Sequence, residues 1–191
     1  MTTMTTLDRP MRTLRHAWFN SPIYGMVLAG KTPASLLLSL RDPWPGDALR
    51  GEDRIHQGAG VGEIFEPSLA DSGEFDPTWL ATQHGFTWLR DLKALGGYAA
   101  RDQARIAVTA WLDRNEQWSE LAWQPHVIGD RLVSWLSHYD LIANGDSGFR
   151  TRLLTSLTRQ ARHLARALRA VPPGAERLSA IHGLIAVGAA L

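Results

Sequence analysis

From Asp76 onward the chain repeats one pattern, in which apolar residues recur at helical spacing and each stretch is closed by glycine or proline. Asp76-Pro77 opens the first stretch, with aspartate at the N-cap and proline at the first helical position. Leu80, His84, Trp88, Leu92 and Leu95 follow, Trp79, Phe86 and Leu89 widen the apolar face, and Gly96-Gly97 stops it. A second helix is predicted over 99–114 with Ala104, Ala107, Val108, Trp111 and Leu112 inward. A third starts near Pro125 with Ile128, Leu132, Trp135, Leu136 and Tyr139 inward, and ends at Asn144-Gly145. The fourth covers about 147–170, with Phe149, Leu153, Leu154, Leu157, Ala161, Leu164 and Leu168 as its stripe, and Pro172-Pro173-Gly174 closes it. A fifth begins near Ala175, carries Leu178, Ile181, Leu184 and Ile185, and runs to Leu191 without a cap or a polar tail. Helices of this length joined by short links pack antiparallel, as a solenoid or a closed α/α toroid. An uncapped apolar stripe at the end is read as the mark of an N-terminal portion of something longer.

Residues 1–75 read differently. Met1–Thr6 is polar, and Arg15, His16, Asn20 and Pro22 break any signal-peptide core between Arg12 and Leu28. Pro33, Pro43, Pro45 and Pro67 and many glycines follow, with "DPWPGD" at Asp42–Asp47 as a turn cluster. Leu36–Leu40 and Ile55–Phe65 suit either short strands or irregular coil. The expected organisation is an N-terminal helix and irregular wrapping arm over 1–75, then a partial helical toroid over 76–191.

The 191 residues contain no cysteine, which excludes disulfide scaffolds, thiol catalysis and cysteine-ligated metals. The formal charge of +1 argues against a general coat for nucleic acid. No apolar run reaches the roughly 20 residues of a membrane helix. The seven histidines form no metal pattern, and phosphate-loop, dinucleotide and G-x-S-x-G signatures are absent, so no metal or cofactor is expected. With no signal peptide evident, the location is unknown, with the cytoplasm as the default.

Arg131 is the residue most open to a chemical role. It lies on the inner side of the third helix between Ile128 and Trp135, with His138 a turn further on. A buried arginine costs several kcal/mol unless an anion or dipole partners it. It therefore either meets a ligand's carboxylate or sulfate in a cleft, or forms an internal salt bridge with Asp91, Asp130 or Asp140. His84 and Trp88 share the apolar side of the first helix, where a histidine is either a hydrogen-bonded core residue or a functional one. Trp118 and Trp123 flank a connecting loop and either stack on sugars or plug the gap between helix ends. Arg150, Arg152, Arg159, Arg162, Arg166 and Arg169 crowd one helix in which no acid occurs, leaving the rest of the chain net acidic. That stripe reads as a solvated outer face or as a binding surface for an anionic polymer.

The stretches "HGFTWLRDLKALGG" (His84–Gly97), "WQPHVIGDRLVSWLSHYDLI" (Trp123–Ile142) and "FRTRLLTSLTRQARHLARAL" (Phe149–Leu168) resemble the N-terminal part of bacterial heparinase II/III family proteins. The resemblance covers most of the chain from about Arg12, with "DPWPGD" matching the family's proline-rich approach to its first helices. It implies an incomplete α/α toroid followed, in the same parent chain, by a C-terminal β-sandwich domain. It also implies a polysaccharide lyase that cleaves uronic-acid polymers such as heparan sulfate or alginate by β-elimination, without a metal in that step, and it makes the periplasm the alternative location. The family's catalytic Tyr and His fall beyond Leu191, so the catalytic residues of this chain are unknown. Arg131 and Trp135 match the Arg…Trp pair of the third helix and Trp88 the tryptophan of the first. His84 stands where many relatives have asparagine.

The expectation is therefore an all-α partial (α/α) toroid that binds anionic polysaccharide through Arg131, Trp135, His84, Trp88 and His138 but does not cleave it alone, with no nucleic-acid partner and no membrane span. The alternative is a non-enzymatic helical interaction domain whose Arg150–Arg169 helix docks an acidic partner. A third reading, an inverting glycosidase, needs two facing carboxylates among Glu63, Glu66, Glu74, Asp76 and Glu120.

Overall fold

The computed structural model describes residues 8–56, 76–143 and 145–191, with side chains from residue 13 onward. Asn144, the stretch 57–65 of one possible strand, and Glu63, Glu66 and Glu74 of the carboxylate reading lie outside the described residues. Every regular element among the described residues is helical. They are α1 (Asp8–Phe19), α2 (Pro22–Leu28), α3 (Ala48–His56), α4 (Pro77–Gly85), α5 (Leu89–Leu95), α6 (Gly97–Asn115), α7 (Pro125–Ser137), α8 (Tyr139–Ile142), α9 (Ser147–Ala167) and α10 (Ala175–Ala190), with a 3₁₀ turn at Leu168–Ala170. The all-α class expected from the periodicity holds.

The helix starts follow from local chemistry. The Asp76 carboxylate accepts the Thr78 N–H at 2.9 Å with Pro77 behind it, and the Asp146 carboxylate accepts the Phe149 N–H at 3.0 Å at the head of α9. One helix expected after Asp76 is in fact two. Phe86 adopts a left-handed conformation (φ 57°) and its N–H closes on the Gln83 carbonyl, ending α4. That conformation costs a non-glycine residue roughly 1–2 kcal/mol. It turns the ring inward, fully buried, with its centroid 5.2–5.3 Å from those of Trp88 and Trp135. Burying a phenylalanine is worth about 1.5–3 kcal/mol, so packing outweighs backbone strain. The third expected helix is likewise split at His138 into α7 and α8.

The segment 29–47 has no regular structure, so Leu36–Leu40 is irregular and not a strand; the Leu37 N–H bonds to the Ala190 carbonyl at the end of α10. The arm is less irregular than its prolines suggest, because α3 forms within it. Two glycines seat that part of the chain. A Cβ on Gly46 would lie 2.0 Å from the Arg90 carbonyl oxygen, and one on Gly51 would lie 2.5 Å from that of Asp91, so only glycine lets this strap and α3 lie on the α5 backbone.

The core gathers around α7, which packs against α4, α9 and most extensively α10. The α7–α10 contact is a crossing of small residues. A Cβ on Gly129 would sit 2.2 Å from the Ser179 carbonyl oxygen, and one on Gly183 would sit 2.5 Å from the Gly129 Cα. Neither backbone can give way without moving a whole helix. Gly129→Ala is expected to cost about 1–3 kcal/mol as an overpacking change, despite alanine's better helix propensity. Urea denaturation of Gly129→Ala beside the surface control Gly188→Ala, where a Cβ meets nothing, checks this. A Gly129→Ala protein as stable as that control would show that the two helices are not in backbone contact. On the outer side of α10, Leu178 and Ile185 are exposed while Ile181, Leu184 and Leu191 are half-buried.

Candidate functional site

The five residues singled out in the sequence are all buried; Arg131, His84, Trp88 and Trp135 are joined in one cluster through Trp111 and Phe86, whereas His138 faces Asp42 of the strap. Arg131 is fully buried on α7. Its Nε donates to Gln160 Oε1 at 2.7 Å, its Nη1 to the His84 carbonyl at 2.8 Å and its Nη2 to the Ala122 carbonyl at 2.8 Å. Its guanidinium carbon lies 4.0 Å from the centroid of the Trp111 ring and 6.0 Å from that of Trp135. The internal salt bridge considered for it, with Asp91, Asp130 or Asp140, is replaced by an amide and two carbonyls. Burial pulls its pKa well down and the charge of Asp130 opposes that pull only in part. One arginine thus ties α4, the 116–124 loop and α9 to α7.

His84 Nδ1 accepts the Trp111 indole N–H at 3.0 Å, which makes His84 a bonded core residue at the end of α4. Trp88 is buried, and its indole N–H reaches the Gln83 carbonyl at 3.4 Å. Trp135 and Trp111 stack edge-on with centroids 5.2 Å apart. His138 Nδ1 bonds to the Ser134 carbonyl at 2.8 Å, leaving Nε2 buried, 3.8 Å from Asp42 Oδ2. Asp42 belongs to the "DPWPGD" strap and also pairs with Arg90 Nε at 3.2 Å. Burial lowers the His138 pKa; the Ser134 carbonyl and Asp42 oppose this, and Lys93 and Arg90 add to it.

The arginine stripe of α9 divides between two uses. Arg152 and Arg159 pair with Asp113 and Glu116 at the end of α6, at 2.6 and 3.4 Å. Arg162 and Arg166 instead donate to backbone carbonyls at the end of α2: Arg162 to Leu28 at 3.0 Å and Lys31 at 2.8 Å, Arg166 to Val27 at 3.3 Å. A guanidinium at a helix C-terminus complements its dipole while keeping its full charge. Beneath this seam Tyr24 O–H bonds to His163 Nδ1 at 2.7 Å, inside a ring of Phe19, Trp118 and Trp123. Outward, α1 and α2 expose Leu14, Trp18, Ile23, Met26 and Val27. Sequence reasoning missed this face. The Leu14–Trp18 spacing of one helical turn and the Ser21-Pro22 start of α2 were the available signals.

Of the carboxylates needed for a glycosidase, Asp76 is committed to capping α4, and Glu120 lies beside Thr13, Arg15 and His16, far along the chain from it. Among the described residues no group of histidines and acids could hold a metal ion. No helix among them is long and apolar enough to cross a membrane.

Over 168 residues the chain is 29% identical to FtsZ-localized protein C of Caulobacter vibrioides (strain NA1000 / CB15N), covering 84% of this chain and 29% of that protein. The chain therefore spans less than a third of the relative it matches. No family model matches it, and no solved structure matches it. These findings correct the resemblance to heparinase II/III proteins. The relative is named for its localisation with FtsZ, and neither a family model nor a solved structure ties the chain to a lyase. The expected β-elimination of uronic-acid polymers, whether heparan sulfate or alginate, falls with it.

Proposed function

We propose that this chain is a non-enzymatic helical interaction module that docks an acidic, partly apolar partner on the face built from α1, α2 and the second half of α9. The observation that carries the reading is the use made of Arg162 and Arg166. Among the described residues their hydrogen bonds go to carbonyls and no carboxylate lies within ion-pair distance of them, and they stand beside the exposed Met26 and Val27 of α2. A cationic rim beside an apolar patch suits a partner that brings carboxylates and apolar side chains together. In this reading Arg131, Trp135, His84, Trp88 and His138 hold the fold that presents the face. The relative's name adds a setting: we propose that this chain too acts in FtsZ-containing assemblies.

Co-sedimentation with FtsZ polymers from the same cell tests this. The chain is expected to pellet with the polymers, and the pelleted fraction to fall as salt screens the arginines over a Debye length of about 8–10 Å. Met26→Glu together with Trp18→Glu should weaken co-sedimentation at least tenfold with the melting temperature little changed, because both side chains are exposed. Undiminished pelleting of that double variant would remove the face from the interaction, and no pelleting of the wild-type chain would remove the FtsZ setting.

A further inference from the structure

A second feature lies apart from the α1–α2–α9 face. A groove of about 860 Å³ opens among the strap, α3, α4 and α5, and none of its lining residues belongs to α1, α2 or α9. Buried Gln83 and Trp88 form its floor, and Trp79 (41% exposed), Arg50 and Asp53 stand at its rim.

Most of its charges are already engaged. Asp47 accepts the N–H groups of Leu49 and Arg50 at 3.0 and 3.4 Å and pairs with the Arg50 side chain at 3.5 Å. Asp91 Oδ1 accepts the Asp47 N–H at 2.9 Å. Arg90 is held by Asp42. Arg54 is different. Its guanidinium carbon lies 4.2 Å from the centroid of the Trp88 ring, and its Nη1 donates to Gln83 Oε1 at 3.2 Å. Among the described residues no carboxylate lies within ion-pair distance of it; Asp91 acts on it only from further off. Burial lowers its pKa.

A guanidinium stacked on an indole loses water from one face but keeps its in-plane N–H edges, which match a carboxylate in a two-point bond. A charge that is partly desolvated and met by one neutral amide is left undercompensated, so an incoming carboxylate gains more there than at an exposed arginine. Trp79, 41% exposed, lines the same groove, and its exposed part offers apolar area to a neighbouring side chain. Exposed Asp53 offers an acceptor to a bound segment's backbone N–H.

We propose that this groove docks an extended peptide segment in which an acidic side chain stands one or two residues from a large apolar one. The carboxylate takes the open edge of Arg54, and the apolar side chain lies on Trp79. The carboxylate supplies recognition, and the amide of the same length should bind poorly.

The test follows the indole N–H signals of Trp79 and Trp88 by NMR in the full chain, assigned through Trp79→Phe and Trp88→Phe. Three probes are titrated to millimolar concentration: acetyl-Glu-Leu-Phe-amide, acetyl-Gln-Leu-Phe-amide and sodium acetate. The glutamate peptide is expected to shift both indoles saturably, and the glutamine peptide to bind at least tenfold more weakly. Arg54→Gln should lose at least tenfold in affinity for the glutamate peptide, and Arg54→Lys should fall between. The other six indole signals report whether the variants remain folded. The comparison of the two peptides on the unmodified chain stands even if they do not. Met26→Glu should leave peptide binding unchanged, so failure of the α1–α2–α9 face and failure of this groove are read separately. Still indoles, equal affinity for the two peptides, an unaffected folded Arg54→Gln, or acetate alone producing the same shifts (an adventitious anion only) would overturn the proposal.

Discussion

Arg131→Ala is expected to remove about 3–5 kcal/mol of folding stability, because three buried acceptors lose their donor at once. The expectation rests on three acceptors and two rings. Without the guanidinium, Gln160 Oε1 and the His84 and Ala122 carbonyls lose a donor deep in the core. Each buried unsatisfied acceptor costs about 1–3 kcal/mol, and Trp111 also loses the cation stacked on its face. Domains are stable by only about 5–15 kcal/mol, so the variant should melt far below the parent or not fold. Arg131→Met separates charge from volume. It refills the space but satisfies none of the three acceptors, so it should recover only part of the loss. Arg131→Lys keeps the charge without the fork, and one ammonium cannot span acceptors contributed by α9, α4 and the 116–124 loop. Urea denaturation of the three variants measures this. An Arg131→Ala protein within 1 kcal/mol of the parent would show that these bonds contribute little, and would reopen Arg131 as a residue held for a ligand.

Arg131 also shows how far the sequence could be read. Its inward register followed from Ile128 and Trp135 on the same helix, and burial of that position is what the structure has. The partners could not follow, because register says nothing about acceptors contributed by α9, α4 and a distant loop. The favoured candidates were carboxylates, since charge is easy to see in a sequence, whereas carbonyls freed at helix ends are not. The helix starts at Asp76 and Ser147 and the stops at Gly96 and Pro172–Gly174 were legible because their causes are local. The break at Phe86 was not. Apolar spacing continues through His84, Trp88 and Leu92, and a left-handed phenylalanine is paid for by tertiary packing. The candidate site was the least legible part. An exposed apolar residue on α1 or α2 has the same spacing as a buried one, and only the placement of α9 beneath α2 decides which is which. The short motifs read as a resemblance to the heparinase II/III proteins carried the functional expectation, and they consist mainly of helix-packing residues such as Trp88, Leu92, Leu132 and Trp135. Packing residues report a manner of folding more readily than a reaction.

Acidification is expected to destabilise the fold between pH 6.5 and 4, with His163 the main cause. Burial pushes its pKa down from 6.5 to about 4; the backbone of Trp123 opposes the shift, and the charges of Arg166, Arg131 and Arg15 add to it. Its Nδ1 accepts the Tyr24 hydroxyl at 2.7 Å, which requires a neutral ring. The sign follows from linkage. Above pH 6.5 the ring is neutral in both the folded and the unfolded chain, and the tie between α2 and α9 is intact. As pH falls below 6.5 the unfolded chain takes up a proton that the folded chain refuses until about pH 4. At about 1.4 kcal/mol per unit, the loss approaches about 3 kcal/mol by the end of that window. His138, lowered by burial as well, acts in the same direction. Asp130, whose pKa burial raises, works against them towards the acid end, because the folded chain then holds the extra proton more readily. His163→Gln offers an acceptor for Tyr24 without a titrating group. It should be less stable than the parent at pH 7, where an amide replaces a well-seated ring, and should lose much less between pH 6.5 and 4. Because Tyr24 belongs to α2, the parent should also lose partner docking on the α1–α2–α9 face across this window, ahead of global unfolding, and His163→Gln should retain more of it. Urea denaturation and co-sedimentation at pH 7, 5.5 and 4.5 for both proteins measure the two effects. Parallel stability curves for parent and His163→Gln would show that His163 does not carry the acid sensitivity.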